Sequence, residues 1–457
     1  MSGRRDPGPL PSRPALRSAK LMALPVAYAG RQAAGAGRRA LGRPAREVNR
    51  EIQSRTAEHM FAVLGELKGC AAKLGQLLAI YQLALPRDLA APYQAALTRL
   101  QDSAPVMLPA TVHGVLAEHL GPQWRDLFQE FDDRRAAAAS IGQVHRGVWH
   151  DGREVAVKVM YPGARAAVES DLVQLRRMSF LASVLLPGAD VKSVTEALCE
   201  SVRAELDYAG EADTQRAFAA EYRGSDEFFV PEVLEQRGDV LVSEWVRGTP
   251  ATRIVSSGSR EQRDRVGELT MRFVLTGWER HGFLYCDPHP GNLWLLPDGR
   301  LGVADFGACA PWPHPGFTDL TVQMCDAILN GGPAALETAV RAHGFALPGR
   351  DFDAVALDTA LAACGEPVRH DRFRLTTSWL RKQVLRITSP RLTNVMRELT
   401  LPPECTPFAR ASLTMVGTLS QLESECDYGA ELVRSVPELA EVFTTMRRGS
   451  EPGVPAS

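Results

Sequence analysis

Apolar residues recur along this chain with two periods, and the order in which the periods alternate predicts its elements. From about Arg50 to Leu83, Met60, Leu64, Leu67, Ala71, Leu74, Leu78 and Tyr81 return at steps of four and three, the buried stripe of one long amphipathic helix. Two further helical stretches follow, Leu89 to Leu100 and Leu108 to Leu120. Between Phe131 and Met160 the pattern changes to strands. Ala136 to Trp149 reads as strand, turn, strand, Asp151-Gly152 is a hairpin turn, and Val155 to Val159 is a third strand. Asp190 to Tyr222 is helical again and acidic, Phe229 to Leu234 and Asp239 to Val246 alternate as two strands, and Arg260 to His281 is an amphipathic helix. The fold class is therefore α+β. The patterns divide the chain into a basic arm expected to be disordered (1–46), a helical extension (47–125), a small lobe of strands plus a long helix (126–248), a helical large lobe (249–445) and a tail expected to be disordered (446–457).

Composition narrows the function classes. With 457 residues, 45% hydrophobic and 23% charged, the chain can bury a full core. A net charge of -2 gives no whole-chain attraction to nucleic acid, which is not expected as a partner. The eight cysteines are scattered, without a Cys-x-x-Cys pair, and read as reduced thiols of a cytoplasmic chain. No apolar run reaches the roughly 18 residues that span a bilayer; the nearest, Phe180 to Leu186, is ended by Pro187-Gly188. The arm sets Arg4, Arg5, Arg13, Arg17, Lys20 and Arg31 against Asp6, beside the apolar Leu21 to Val26. Three readings of it stay open: peripheral contact with an anionic membrane, an Arg-rich transit peptide, or a solvated tail.

The chemistry concentrates in one stretch. Asp287 is separated by four residues from Asn292, and a short apolar strand pair leads from there to Asp305-Phe306-Gly307. Kinase-like folds use this spacing to place a catalytic carboxylate and two magnesium ligands. The residue types suit phosphoryl transfer, with a carboxylate to orient or deprotonate the acceptor, and an amide oxygen and a second carboxylate as hard donors to magnesium. Asp-Phe-Gly alone would more often be an ordinary turn; the paired motif reverses those odds. Upstream, Lys158 in Val-Ala-Val-Lys lies among alternating buried apolar positions, which suits a phosphate-binding lysine better than a strand-edge one. Where ordinary kinases have a glycine-rich loop, Ala137, Ala138, Ala139 and Ser140 stand here, and only Gly142 remains. Asp207 and Glu211 are i,i+4 neighbours on the acidic helix, whereas Glu205 and Asp207 do not share a face. Glu244 to Val246 occupies the place where a kinase hinge offers backbone groups to adenine. Lys73 and Gln76 lie three apart on the first helix, off its apolar stripe, with Gly75 between them.

Lys73 to Gln76, the alanine-rich loop with Ile-Gly-Gln-Val-His, Val-Ala-Val-Lys, Glu-Leu-Asp-Tyr at Glu205 to Tyr208, Asp-Pro-His-Pro-Gly-Asn and Asp-Phe-Gly follow one another in an order that resembles the UbiB/AarF atypical kinase-like family. The resemblance is specific from about residue 55 to 310 and looser to about Val442. It implies a protein-kinase-like two-lobed fold whose helical extension packs over the nucleotide site, with ATP and Mg2+ as cofactors and a role around isoprenoid quinones or related lipids. It further implies that Glu205 and Asp207 face Lys73, that Glu211 pairs with Lys158, that Asp287 is the catalytic carboxylate, and that Asn292 and Asp305 hold magnesium. Two positions before Asp287, where many kinases have His, stands Tyr285, whose hydroxyl can substitute as a hydrogen-bonding support. After Gly307 a helix begins at about Gly316, without an Ala-Pro-Glu motif, which disfavours protein substrates. A nucleotide-binding pseudokinase scaffold and a small-molecule phosphotransferase are the alternatives. Replacing Lys73 by Ala is expected to leave the fold intact but to change catalysis, either impairing lipid-coupled ATP hydrolysis or unmasking autophosphorylation. Unchanged activity, with at most a few tenths of a kcal/mol in stability, would return Lys73 to an exposed helix position.

Overall fold

The computed structural model describes residues 106–185, 202–347, 349–387 and 395–450, residues 196, 199 and 200, and part of 30–55. Apart from residues 51, 52 and 55, which are helical, the long helix expected from Arg50 to Leu83, with Lys73 and Gln76, and the helix expected from Leu89 to Leu100 lie outside the described residues. The sequence pattern makes the arm disordered up to residue 46, yet residues 33–40 are helical. Alanine, the best helix former, dominates there, and Gly35 leaves space for the Ile52 side chain, which is buried with Val48. Arg38 ties the segment to Glu51 at 2.8 Å.

The chain forms two compact units: residues 1–213 with 232–245, and residues 214–231 with 246–457. The expected lobe boundary at 248 falls instead at 245, and residues 214–231 go to the second unit. In the first unit, α1 (Pro109–Leu120) has proline in its first turn, where a missing N–H costs nothing. It packs on a five-stranded antiparallel sheet ordered β1-β2-β3-β6-β5, in which β1 is Phe128–Ala138, β2 Gly142–Trp149 and β3 Glu154–Met160. Val155, Val157 and Val159 face the core, against Val112, Leu116, Val240 and Val242. The next helices are α2 (Ala164–Leu185) and α3 (Tyr208–Glu221). The helix expected to run unbroken from Asp190 to Tyr222 is interrupted by a turn at Glu205-Leu206, and Asp207 opens a new one. The strand expected over Phe229 to Leu234 is also split. Phe228–Phe229 is β4 of the second unit, and Val233–Arg237 is β5, which pairs with β6 (Val240–Glu244). Pro231 separates them: it has no N–H to give a ladder, and its carbonyl accepts from Gln215 Nε2 at 2.7 Å.

In the second unit a small sheet ordered β4-β10-β9-β7 joins Phe228–Phe229 to β7 (Thr249–Pro250), β9 (Leu293–Leu295) and β10 (Leu301–Val303). A separate pair joins β8 (Phe283–Tyr285) to β11 (Cys309–Pro311). Among its helices, α4 (Ala251–Ser257) precedes α5 (Arg260–Leu275). The latter starts at a capping box, with Ser259 Oγ accepting from the Gln262 N–H and Gln262 Oε1 accepting from the Ser259 N–H. The sequence pattern extends this helix to His281. It stops at Leu275 because Gly277 turns left-handed (φ 84°), against the Tyr222 hydroxyl, and the short α6 (Trp278–His281) begins anew. The remaining helices are α7 (Phe317–Asp326), α8 (Gly332–Ala342), α9 (Ala354–Ala362), α10 (Thr377–Ile387), α11 (Thr406–Leu422), α12 (Tyr428–Ser435) and α13 (Leu439–Ser450), and β12 (Phe373–Arg374) pairs with β13 (Glu425–Cys426). The tail expected to be disordered from 446 is therefore helical to 450, with Met446 packed beside Phe443 and Leu439.

The second unit encloses a cation. Arg272 of α5 reaches Glu431 of α12 through Nε and Nη2, at 2.9 and 2.8 Å; Nη2 also meets Glu268, and Nη1 meets Glu227. Both Arg272 and Glu431 are buried, and the carboxylates hold the guanidinium firmly protonated. Replacing Arg272 by Met should cost about 3–5 kcal/mol of this unit's stability, because Glu431 is left buried without its partner. The paired Arg272→Met, Glu431→Leu variant should recover most of the loss. Urea unfolding checks both, and a single variant as stable as wild type would contradict the assignment.

Candidate active site

Lys158 sits mid-way along β3, opposite Val144 of β2 and Leu241 of β6, on the face that Val157 and Val159 do not use. Its Nζ donates to both carboxylate oxygens of Glu211, at 2.8 and 2.9 Å. The side chains are 13% and 2% exposed, so the pair lies well beyond the reach of bulk screening. The ammonium also stands 5.0 Å from the centre of the Tyr208 ring, a cation–π contact.

The start of α3 explains why Glu211 is the partner. Asp207 Oδ1 accepts from the Gly210 N–H at 3.0 Å, and the Asp207 carbonyl accepts from the Glu211 N–H at 2.9 Å, so Asp207 caps the helix. Gly210 is needed because a Cβ there would press on the Asp207 carboxylate. Glu211 then lies in the first turn, where the helix dipole favours its charge. Glu205 is buried in the turn before the cap. Their expected partner, Lys73, lies outside the described residues, as does Gln76. Asp207 as a cap was legible in the Asp-x-x-Gly-Glu spacing; Tyr208 beneath the lysine carried no sequence signal of its own.

The alanine-rich stretch closes the β1–β2 hairpin. Ala137 and Ala138 end β1 with their side chains exposed, the Ala139 N–H donates to the Gly142 carbonyl at 3.0 Å, and Ser140 and Ile141 make the turn. Gly142, expected as a remnant of phosphate approach, has protein as its close neighbour: a Cβ there would collide with the Val159 carbonyl of β3. At the end of β6, the Glu244 N–H donates to the Glu232 carbonyl at 3.0 Å and its carboxylate accepts from the Glu232 N–H at 3.1 Å. The Trp245 N–H is used by the Glu154 carbonyl at 2.9 Å, and Val246 opens the longer segment of the second unit.

In the second unit, Asp287, Asn292 and Asp305 are held by one backbone knot. The Asp287 carbonyl accepts from the His289 N–H at 2.7 Å and from Asn292 Nδ2 at 3.1 Å, which fixes the amide and leaves Oδ1 as its hard donor. The Asn292 carbonyl accepts from the Ala304 N–H at 3.1 Å, while the Tyr285 hydroxyl donates to the Ala304 carbonyl at 3.0 Å. The peptide units on both sides of Ala304, the residue before Asp305, are thus bonded. Burial, reinforced by Asp287 and Asp305, raises the Tyr285 phenol and keeps it a donor, so it does the supporting work expected of it. Asp305 itself is left-handed (φ 65°), an uncommon state for a residue with a side chain. Phe306 anchors the turn, buried against Phe218 and Tyr285. The Thr418 hydroxyl donates to the Pro288 carbonyl at 2.7 Å, fastening the loop to α11.

Among the described residues no group of three or more His, Cys, Asp and Glu side chains forms a metal cage. Magnesium is bound by as few as one or two protein oxygens and completes its shell with water and phosphate. Asp305 and Asn292 present one carboxylate and one amide oxygen.

Residues 99–332, more than half of the chain, match the model of the ABC1 atypical kinase-like domain. The mitochondrial atypical kinase COQ8B of Danio rerio is 31% identical over 62% of this chain and 45% of its own length. The mitochondrial atypical kinase COQ8 of Saccharomyces cerevisiae is 30% identical over 67% of this chain and 61% of its own. The chain thus spans less than two thirds of the length of these curated relatives. A solved structure, the complex of Rv3197 with erythromycin from Mycobacterium tuberculosis, is similar with a TM-score of 0.64 and 38% identity, over 87% of this chain and all of that one. The α+β, kinase-like fold expected from the sequence is the fold of these relatives. With a matching domain over half its length and a solved relative covered end to end, this chain belongs to the ABC1 atypical kinase-like family.

Proposed function

We propose that this protein is a magnesium-ATP-dependent atypical kinase or ATPase that acts on a small hydrophobic acceptor, in isoprenoid quinone or lipid metabolism, and not on proteins. The observation that carries the reading is Lys158 held at 2.8 Å by the buried Glu211, a cation oriented and kept charged at the strand position used for nucleotide phosphates. Magnesium-ATP, when bound, supplies the phosphoryl group. Lys158 binds its phosphates, the backbone of the Ala137–Ser140 turn and of Glu244 and Val246 lines the nucleotide, and Asn292 and Asp305 hold the metal. Asp287 orients the attacking hydroxyl or water and takes its proton. Lys73 and Gln76, with Glu205 and Asp207, are proposed to govern access.

Two features favour a small acceptor. Cys309–Pro311 is spent as a strand against β8, and Trp312 is buried, so little chain remains before Phe317 for a peptide platform. The solved relative was captured with erythromycin, a bulky and largely apolar molecule, which suits a family that handles such ligands. We place the protein in the cytoplasm, with peripheral contact to anionic membrane through the basic arm. Among the described residues no helix is long and apolar enough to cross a membrane.

Lys158→Ala and Asp305→Asn should each abolish the rise in melting temperature that magnesium-ATP gives the wild type, since one removes the phosphate cation and the other weakens the metal site. Survival of the shift in both variants would overturn the nucleotide assignment.

Asp287→Asn should hold ATP affinity within about threefold while reducing phosphate release by roughly 10²-fold or more, because a general base acts on the attacking group and not on bound nucleotide. Phosphate release with and without phospholipid vesicles, a quinone-like phenol or erythromycin identifies the acceptor class. Equal turnover by mutant and wild type would favour a scaffold.

A further inference from the structure

Gln143 and His145, in the Ile-Gly-Gln-Val-His stretch, have no part in the chemistry above, yet both side chains are fully buried in the first unit. They form a chain of three hydrogen bonds with one consistent polarity. The Met107 N–H donates to Gln143 Oε1 at 3.1 Å, Gln143 Nε2 lies 2.8 Å from His145 Nε2, and His145 Nδ1 lies 2.9 Å from the Asp132 carbonyl. Gln143 Oε1 is occupied as an acceptor, so its amide nitrogen donates to His145 Nε2, and the imidazole must be neutral with its proton on Nδ1. Burial favours that form, holding the imidazole below its ordinary value of 6.5; Asp132 and Asp133 on β1 oppose the shift, and His113 on α1 adds to it.

The two ends of this chain give it a function. Met107 stands immediately before α1, in the segment that leads into that helix. Asp132 lies in an irregular stretch of β1, where four steps from Phe131 to Arg135 oppose two from Gly147 to His145. The extra residues lose their place in the ladder, and the His145 ring captures one carbonyl set loose there. That irregular stretch leads directly into Ala137, Ala138, Ala139 and Ser140. We infer that Gln143 and His145 are positioning residues that tie the segment leading into α1 to the alanine-rich loop, so that the loop's geometry, and with it nucleotide affinity, depends on how residue 107 is held. The inference rests on the proposed reading of that loop as nucleotide-binding.

The test uses the full chain, magnesium-ATP titrations from pH 5 to 8, and amide hydrogen exchange. Wild-type affinity should fall only once the pH is far enough below 6.5 to protonate His145, which burial holds below that ordinary value, because an imidazolium puts an Nε2–H against the Gln143 amide, two donors facing each other. Gln143→Glu should abolish that acid loss, since a carboxylate accepts from both the Met107 N–H and the charged ring. Gln143→Met should weaken ATP roughly three- to tenfold at neutral pH, the value of one or two net hydrogen bonds, with a smaller effect on kcat. It should also speed exchange at Met107 and at residues 136–142 together. If it fails to fold, Gln143→Glu carries the test alone, through its pH profile. A purely structural plug predicts one pH profile for wild type and Gln143→Glu, or exchange raised at Met107 without the loop, and either result overturns the inference. Should wild type bind no magnesium-ATP, the nucleotide reading fails, and joint or separate loosening of Met107 and the loop still decides whether they are coupled.

Discussion

A cation removed from water must meet a carboxylate in good geometry, because its desolvation costs several kcal/mol that only a close, hydrogen-bonded opposite charge offsets. Each unit of this chain is arranged around one such cation. In the first, Lys158 projects from the central strand of the sheet and is answered by Glu211, which is in turn fixed by the Asp207 cap and the clearance at Gly210. In the second, Arg272 joins α5 to α12 through Glu431, two segments that are 159 residues apart in sequence. The consequence differs between them. The Arg272 cluster has three carboxylates around one guanidinium, with Arg272 and Glu431 buried and Glu227 and Glu268 reaching the surface, which suits a strut. The Lys158 ammonium keeps some exposure, which suits a group that must also meet a ligand's negative charge.

A second constraint concerns the backbone. Asp305 takes a left-handed conformation that costs a side chain of order 1 kcal/mol, and such a state persists only where its surroundings over-determine it. They do so here through Ala304, bonded to Asn292 on one side and Tyr285 on the other, and through the buried Phe306. Asn292, Asp305 and the tyrosine that replaces the usual histidine are thus parts of one device. The orientation of Asn292 and Asp305 is built into the loop before any ligand arrives, and preorganisation of this kind is what gives an electrostatic site its advantage.

Several residues carry two demands at once. Gly142 stands where a phosphate-binding loop would want a glycine, yet the Val159 carbonyl already excludes any side chain there. Asp207 belongs to an acidic motif and also caps α3. Gln143 and His145 belong to the Ile-Gly-Gln-Val-His stretch beside the loop and also form an internal hydrogen-bond chain. Around the alanine-rich loop, packing and chemistry therefore cannot be varied independently.

What the sequence determined by itself was local or carried by spacing. Period-two alternation set β2 and β3, since a strand with one buried face must alternate, whereas β1 begins at Phe128, ahead of the strand expected from Ala136, and its burial does not alternate; the Asp287, Asn292 and Asp305 spacing marked the loop; and Lys158 followed from the apolar residues around it. Tertiary structure alone decided where elements stop and which distant groups meet. The helix expected to reach His281 ended at Leu275, where the chain leaves helical geometry through the left-handed Gly277, a position that only glycine fits because the Tyr222 hydroxyl fills the space of a side chain. The helix expected across Glu205 broke because Asp207 could satisfy the amide of Gly210 better as a cap than as an interior residue. The pairing of Arg272 with Glu431, the ring of Tyr208 under Lys158, and the bond from Met107 to Gln143 join residues remote in sequence. Periodicity reports which face of an element is buried; the identity of what lies against that face depends on the packing of the whole unit.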